Sequence, residues 1–366
     1  MSNNRSTDIL IIGAGIAGLL TAWELARAGR RVAVLERDQP GREASRAAAG
    51  ILAPLPSWRY PPALLALIDW SRQVWPALAH DLEQRSGLPV DYTASGLLYF
   101  HEPEFANAVT WAASRGVVLE SLNAAEVARL EPALTSNPRP ALRLPDVAQI
   151  TPGRLLRALQ EAVLAEGVRI LPHAAVRALH TANGRITGVA SEDGDWRTEQ
   201  VVLCAGAWSA TLLAPLGITL PVEPIRGQIL QYAAPPGLVS HVLLDDGKYL
   251  VPRREGKILV GSTREHAGFD KTPTDAGAAE LTTAAGRLLP LLAQAGVTRH
   301  WAGLRPGSPD HLPFIGGYPE LPGLLLNTGH YSTGIVAAPA AARLTADLLL
   351  DRRPILDPAP YQVNRA

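Results

Sequence analysis

The first forty residues constrain this chain more than any other stretch. Asp8-Ile9-Leu10-Ile11-Ile12 is a short β-branched run, and glycines follow at Gly13, Gly15 and Gly18. From Ile16 to Ala28, apolar Leu19, Leu20, Trp23 and Leu25 share a helical spacing with polar Thr21, Glu24 and Arg27. Gly29 stands where a glycine closes a helix, and Arg31-Val32-Ala33-Val34-Leu35-Glu36 reads as a second strand ending in an acid. Strand, G-x-G-x-x-G, helix, strand and acid in this order form the dinucleotide-binding fingerprint in the context it requires. Gly13 permits the tight turn, Gly15 lets backbone approach a pyrophosphate, and Gly18 lets helix pack on strand. Ile16 and Ala17 open the helix, whose free N–H groups and partial positive charge face the phosphates. Glu36, followed by Arg37, is placed to accept bonds from ribose hydroxyls, and its charge argues against the 2′-phosphate of NADP.

The stretch Gly41-Arg42-Glu43-Ala44-Ser45-Arg46-Ala47-Ala48-Ala49-Gly50 is small-sided. It reads either as a loop with a short helix or as a second close approach of backbone to a long cofactor. With the N-terminal fingerprint and Cys204-Ala205-Gly206-Ala207-Trp208-Ser209, it resembles the FAD-dependent amine and D-amino-acid oxidases. Further matches keep that family's order: Leu130-Glu131-Pro132-Ala133-Leu134, Asp146 to Pro152, Gly303-Leu304-Arg305-Pro306, Asp310, Pro313 to Gly316, and Gly329 to Ile335. Within the family the likeness is strongest to the glycine-oxidising branch that feeds thiazole synthesis in thiamine biosynthesis.

The resemblance implies an α/β fold: a Rossmann-like FAD-binding domain and a second, mixed-sheet substrate domain. The FAD domain is expected over 1–80, 145–215 and 320–366, and the substrate domain over 81–144 and 216–319. Ala44, Ser45, Ala49, Gly50 and Ile51 would run beside the flavin and its phosphates, and the backbone of Val176 would meet the adenine. Arg305 would bind the substrate carboxylate, for which a planar, always-charged guanidinium is suited because it binds bidentately and fixes orientation. Tyr249 would add a hydroxyl to that pocket. His330, Tyr331, Ser332, Thr333, Gly334, Ile335 and Val336 lead into the last helix, whose N-terminal dipole would stabilise the reduced flavin. Ser332 departs from the arginine that some glycine oxidases carry there, and offers the substrate a hydroxyl without a charge.

No cysteine stands near Trp301-Ala302-Gly303 to take a covalent flavin, so FAD is expected to be non-covalent. The reaction implied is oxidative deamination of glycine or a small amine to glyoxylate, ammonia and hydrogen peroxide, with oxygen as acceptor and no side-chain base. Sarcosine, a small D-amino acid or an N-modified glycine are rival substrates, and a quinone or another protein is a rival acceptor. A non-catalytic FAD-binding subunit is a reading of another class, which the presence of Arg305 and Tyr249 opposes.

Composition removes other classes. With 34 basic and 34 acidic residues the chain has no global basic field for nucleic acid. At 47% hydrophobic it is not disordered. One cysteine, Cys204, leaves no disulfide framework and no cysteine-based metal site, and no His, Asp and Glu cluster has metal-ligand spacing. The apolar run after Arg5 is cut by three glycines and passes into a charged helix, which reads as a buried strand rather than a signal segment. No run approaches the roughly 18 apolar residues of a membrane span. A soluble, cytoplasmic enzyme is expected, its partners a small amino-acid substrate and oxygen, with self-association into a homo-oligomer left open. Beyond the fingerprint, helices are expected over 62–84 (broken at Pro76), 102–114, 152–166, 275–292 and 335–350, and strands over 92–100, near 168–170, 176 and 189, and over 200–204, 227–232, 249–252 and 257–260.

Overall fold

The computed structural model describes residues 5–136 and 138–365. Two large sheets organise it. The first has six strands in the order Phe314–Gly317, Leu324–Thr328, Val201–Leu203, Ile9–Ile12, Val32–Leu35 and Arg169–Leu171. All neighbours are parallel except the pair at the 314–317 edge. Parallel strands are covered on both faces and read as unbroken apolar runs. Here Ile9, Ile11, Val32 and Val34 turn to one core, while Leu10, Ile12, Ala33 and Leu35 turn to another. Helices Ile16–Arg27, Pro62–Ser86, Pro152–Ala165 and Gly334–Leu349 fill the first core. A three-stranded antiparallel sheet (Val176–Ala182, Arg185–Ser191, Gly194–Arg197) with buried Trp196 covers the other face.

The second sheet has eight strands and is mixed. Its long strands Glu223–Ala233 and Val297–Gly307 pair antiparallel, with Gly227 opposite Gly303 and Ile225 opposite Arg305. Lys257–Gly261, Lys248–Arg253 and Val242–Asp245 follow, and Val242–Asp245 runs parallel to Leu97–Tyr99. Helix Asp275–Leu288 packs Leu281, Ala285 and Leu288 on one face. On the other face Ile229, Val251 and Leu259 meet Ala49, Ile51 and Ala53 of the small-residue segment. That contact joins the two sheets and encloses the site.

Four elements differ from the sequence expectation. Pro62–Ser86 is one helix through Pro76. A proline inside a helix costs about 3 kcal/mol. The helix buries Leu64, Leu65, Leu67, Ile68, Trp75 and Leu82, and each large apolar side chain buried contributes about 1.5–3 kcal/mol, so packing outweighs the proline. The expected strand over 92–100 is two, Thr93–Ala94 and Leu97–Tyr99, separated at Gly96, which takes φ +67°. The helix after Asp275 ends at Leu288, before Pro290. The strand Phe314–Gly317 lies in the first sheet, although residues to 319 were expected with the second.

Candidate active site

A cavity of about 510 Å³ runs between the two sheets. Every residue put forward from the sequence except Gly18 borders it. Gly18 serves behind the wall: a Cβ there would stand 1.9 Å from the Gly13 carbonyl oxygen, so only glycine lets the first helix sit this close to the turn. Gly13 itself takes φ +103°, and a Cβ on it would meet the Cys204 carbonyl oxygen at 2.5 Å.

At one end the helix Ile16–Arg27 points its N-terminus at the cavity. Its N-cap, Gly15, supplies no side-chain bond, and no acid lies in its first turn. Ser45 Oγ accepts from the Ile16 N–H at 3.0 Å. The Glu36 carboxylate, 8% exposed, accepts from the Ala14 N–H at 2.8 Å and the Asp38 N–H at 3.0 Å, which fixes it at the cavity edge with lone pairs to spare. The Arg37 guanidinium lies 3.3 Å from the Trp208 ring centroid.

The middle of the cavity is walled by small residues. The helix Ala44–Ala47 packs against the strand Val297–Gly307, where a Cβ on Gly303 would come within 2.5 Å of Ala47 Cβ. Trp301 Nε1 donates to the Ala47 carbonyl at 3.0 Å. Arg253, which the sequence did not single out, donates to the Ala49 and Ile150 carbonyls and to Gln149 Oε1. Its burial pulls the guanidinium down to about 10. This arginine pins the small-residue segment against the second sheet.

At the far end, Arg305 and Tyr249 come together on neighbouring parts of the second sheet. Arg305 Nη2 donates to Ser262 Oγ at 2.6 Å, and Nη1 donates to the Thr263 carbonyl at 3.1 Å. All its partners among the described residues are neutral. Desolvation lowers its affinity for the proton, against the opposing fields of Tyr249 and Tyr331. Burial likewise pushes the Tyr249 phenol up, while Arg305 pulls it down. Two glycines make room for these side chains. A Cβ on Gly227 would lie 2.1 Å from Arg305 Nη2, and one on Gly261 would lie 2.6 Å from the Tyr249 hydroxyl. Ser262, Gly227 and Gly261 carry no sequence signal of this role, because the strand pairing alone sets them beside Arg305 and Tyr249.

The segment before the last helix closes the cavity. Tyr331 takes φ +46°, rare for a non-glycine residue, and its N–H donates to the Pro306 carbonyl at 2.8 Å. Ser332 Oγ lies 3.4 Å from the Tyr60 hydroxyl. Tyr60, His311 and Tyr331 stand edge to face at ring distances of 5.9 and 4.9 Å. His330 Nε2 contacts Asn327 Oδ1 at 2.8 Å, while Asn327 Nδ2 donates to Thr21 Oγ1 at 3.0 Å. This chain requires the proton on Nε2 and leaves Nδ1 an acceptor. Among the described residues that buried Nδ1 has no partner, and burial pulls the imidazole down to about 4.

The residues present fit FAD. Two helix N-termini without side-chain caps and without acids in their first turns, at Ile16 and Gly334, face one cavity. Its central wall is built of small residues, and the His330 Nδ1 acceptor has no donor among the described residues. Cys204, the one thiol, is buried and pushed up by desolvation.

Comparison with known proteins agrees. A family model described as FAD dependent oxidoreductase matches residues 8–348, and the chain belongs to that family. It is an FAD-dependent amino-acid oxidase. It is similar to the glycine oxidase of Pseudomonas aeruginosa, 43% identical over 97% of this chain and 98% of that one. The bifunctional protein ThiO/ThiG of Synechocystis is 35% identical over 95% of this chain, which spans 52% of that longer protein. The crystal structure of glycine oxidase from Geobacillus kaustophilus superposes with a TM-score of 0.94, at 30% identity and 99% coverage of each chain. No helix among the described residues is long and apolar enough to cross a membrane.

Proposed function

We propose that this enzyme oxidises glycine to glyoxylate and ammonia, releases hydrogen peroxide, and supplies thiazole synthesis in thiamine biosynthesis. The observation that carries the substrate class is Arg305: a desolvated guanidinium whose partners among the described residues are all neutral. A charge removed from water and left unpaired is costly unless a ligand completes it. A bidentate carboxylate does so and orients the α-carbon toward the small-residue wall. The Tyr249 hydroxyl, close to Ser262 and Arg305, adds a donor on the same carboxylate. Bound FAD, held non-covalently, supplies the two-electron acceptor and the route to oxygen.

The remaining residues position and exclude. The N-terminus at Ile16 and the Ser45 hydroxyl would hold the pyrophosphate, and Glu36 the ribose. Val176 borders the cavity and would meet the adenine. The last helix, starting at Gly334, would direct its positive end at charge that accumulates on reduction. His330 stays neutral and adds no competing cation. The sheet division supports a cofactor domain built on the first sheet and a substrate domain on the second. The relative's joined name, ThiO/ThiG, supports the thiamine assignment.

Anaerobic mixing of the purified holoenzyme with glycine tests the reading. Bleaching of the flavin band within turnover, with glyoxylate formed in equal amount, is expected. A band that persists with glycine but bleaches with sarcosine or D-alanine would reassign the substrate.

A further inference from the structure

Arg264 borders the same cavity, and the reading above gives it no task. It is exposed at the cavity wall, just past the strand Lys257–Gly261. Its guanidinium carbon lies 5.4 Å from the Tyr331 ring centroid. Desolvation is the first cause lowering both Arg305 and His311, and the positive charge of Arg264 adds to it at each. Among the described residues no hydrogen bond or ion pair engages Arg264. Its neighbour Glu265 is occupied by Arg226, Gln228 and Thr263. Beside Arg305 the cavity thus carries a second guanidinium, and among the described residues no carboxylate answers either. A substrate with one carboxylate satisfies Arg305 and leaves Arg264 facing an open acceptor site.

We propose that Arg264 binds a second carboxylate, so that the enzyme accepts secondary amines and amino acids carrying two anionic groups. Arg305 takes the carboxylate beside the reacting carbon and Arg264 the more distant one. The inference rests on the cavity being the amine-oxidation site proposed above. For iminodiacetate the chemistry balances: one carboxymethyl carbon gives up a hydride and the nitrogen a proton, two electrons and two protons in all, to leave an imine. Water then splits the imine into glyoxylate and glycine, and oxygen takes the electrons by way of the cofactor as hydrogen peroxide. The Ser332 hydroxyl in the same cavity can accept or donate one bond but cannot neutralise the added charge.

Two ligands that amine oxidation cannot consume isolate the binding step. Diglycolate has two carboxylates across an ether, and methoxyacetate keeps the ether but has one. Titrated into the holoenzyme and read by the flavin absorption, diglycolate is expected to bind at least tenfold more tightly. Arg264→Gln should shrink that preference at least fivefold, and Arg264→Glu should reverse it. Arg264 is exposed, so neither change threatens the fold. In turnover, kcat/KM for iminodiacetate relative to glycine should fall by a similar factor in Arg264→Gln. Equal affinity for the two ether ligands, or a preference unmoved by Arg264→Gln, would overturn the proposal. So would a wild-type enzyme that oxidises glycine but neither iminodiacetate nor D-aspartate. Tight, Arg264-dependent diglycolate binding in an enzyme that glycine fails to reduce would uphold Arg264 and refute the glycine reading alone.

Discussion

Arg305 is held by a serine hydroxyl and backbone carbonyls, with its charge unanswered by any described carboxylate. Removing it with Arg305→Ala is expected to raise KM for glycine about a hundredfold, the scale of a charge-assisted bidentate pair worth ~3 kcal/mol. FAD content should be unchanged, and an unaltered KM would remove Arg305 from the substrate site. Gly227→Ala tests the same side chain from beneath. Its Cβ would overlap the guanidinium at 2.1–2.3 Å, so Arg305 must swing away. KM should rise at least tenfold while absorption of the bound flavin persists. His330 carries a pH consequence. Its folded value of about 4 lies below the ordinary 6.5, so the unfolded chain binds the extra proton between those values. Stability then falls as pH drops from 6.5 toward 4, by roughly 3 kcal/mol in all. His330→Gln, compared by urea unfolding at pH 6.5 and 4.5, should show a shallower loss.

At the scale of elements, the last helix is tied down near its start by the long one. Trp75 Nε1 donates to the Val336 carbonyl and the Ala340 N–H donates to Ser71 Oγ, both at 3.0 Å and both buried. These bonds fall in the turn around Pro339, where the helix lacks one of its own N–H groups. Trp75→Phe keeps an aromatic ring but deletes the donor and part of the indole, leaving a buried carbonyl unpaired. A loss of about 1–3 kcal/mol is expected, together with weaker FAD binding in a titration, since this helix end borders the cavity. The Leu130-Glu131-Pro132 motif, noted in the sequence, proves to lock the second sheet. Glu131 accepts from the Ser240 and His241 N–H groups and lies 2.6 Å from His241 Nδ1. Desolvation works to raise its carboxyl, but these donors outweigh it and hold it below the ordinary range. The helix expected to break at Pro76 runs on because the partners that offset the lost bond come from distant segments, invisible to a local pattern.

For the whole molecule, the cavity exists only where the two sheets meet, so a ligand spanning it couples them. FAD binding should stabilise the fold by about 2.7 kcal/mol at a hundred times its Kd. In a chain this size that moves Tm upward by several degrees. Thermal melts of apoprotein with graded FAD check this, and a Tm indifferent to FAD would count against the cavity as its site. The sequence by itself determined the cofactor end. Its strand, glycine turn, helix and acid are contiguous, and each glycine is demanded by a backbone constraint that local residue types encode. Arg305 and Tyr249 were legible only through likeness to a family. Tyr60, Ser262, Gly227, Gly261 and Arg264 were not legible at all. For Gly227 and Gly261 the company is decided by strand register, which pairs Ile225 with Arg305 and Tyr249 with Gly261. Register depends on burial of whole sheet faces rather than on any short stretch of chain, so the substrate end of the site was left to the tertiary structure.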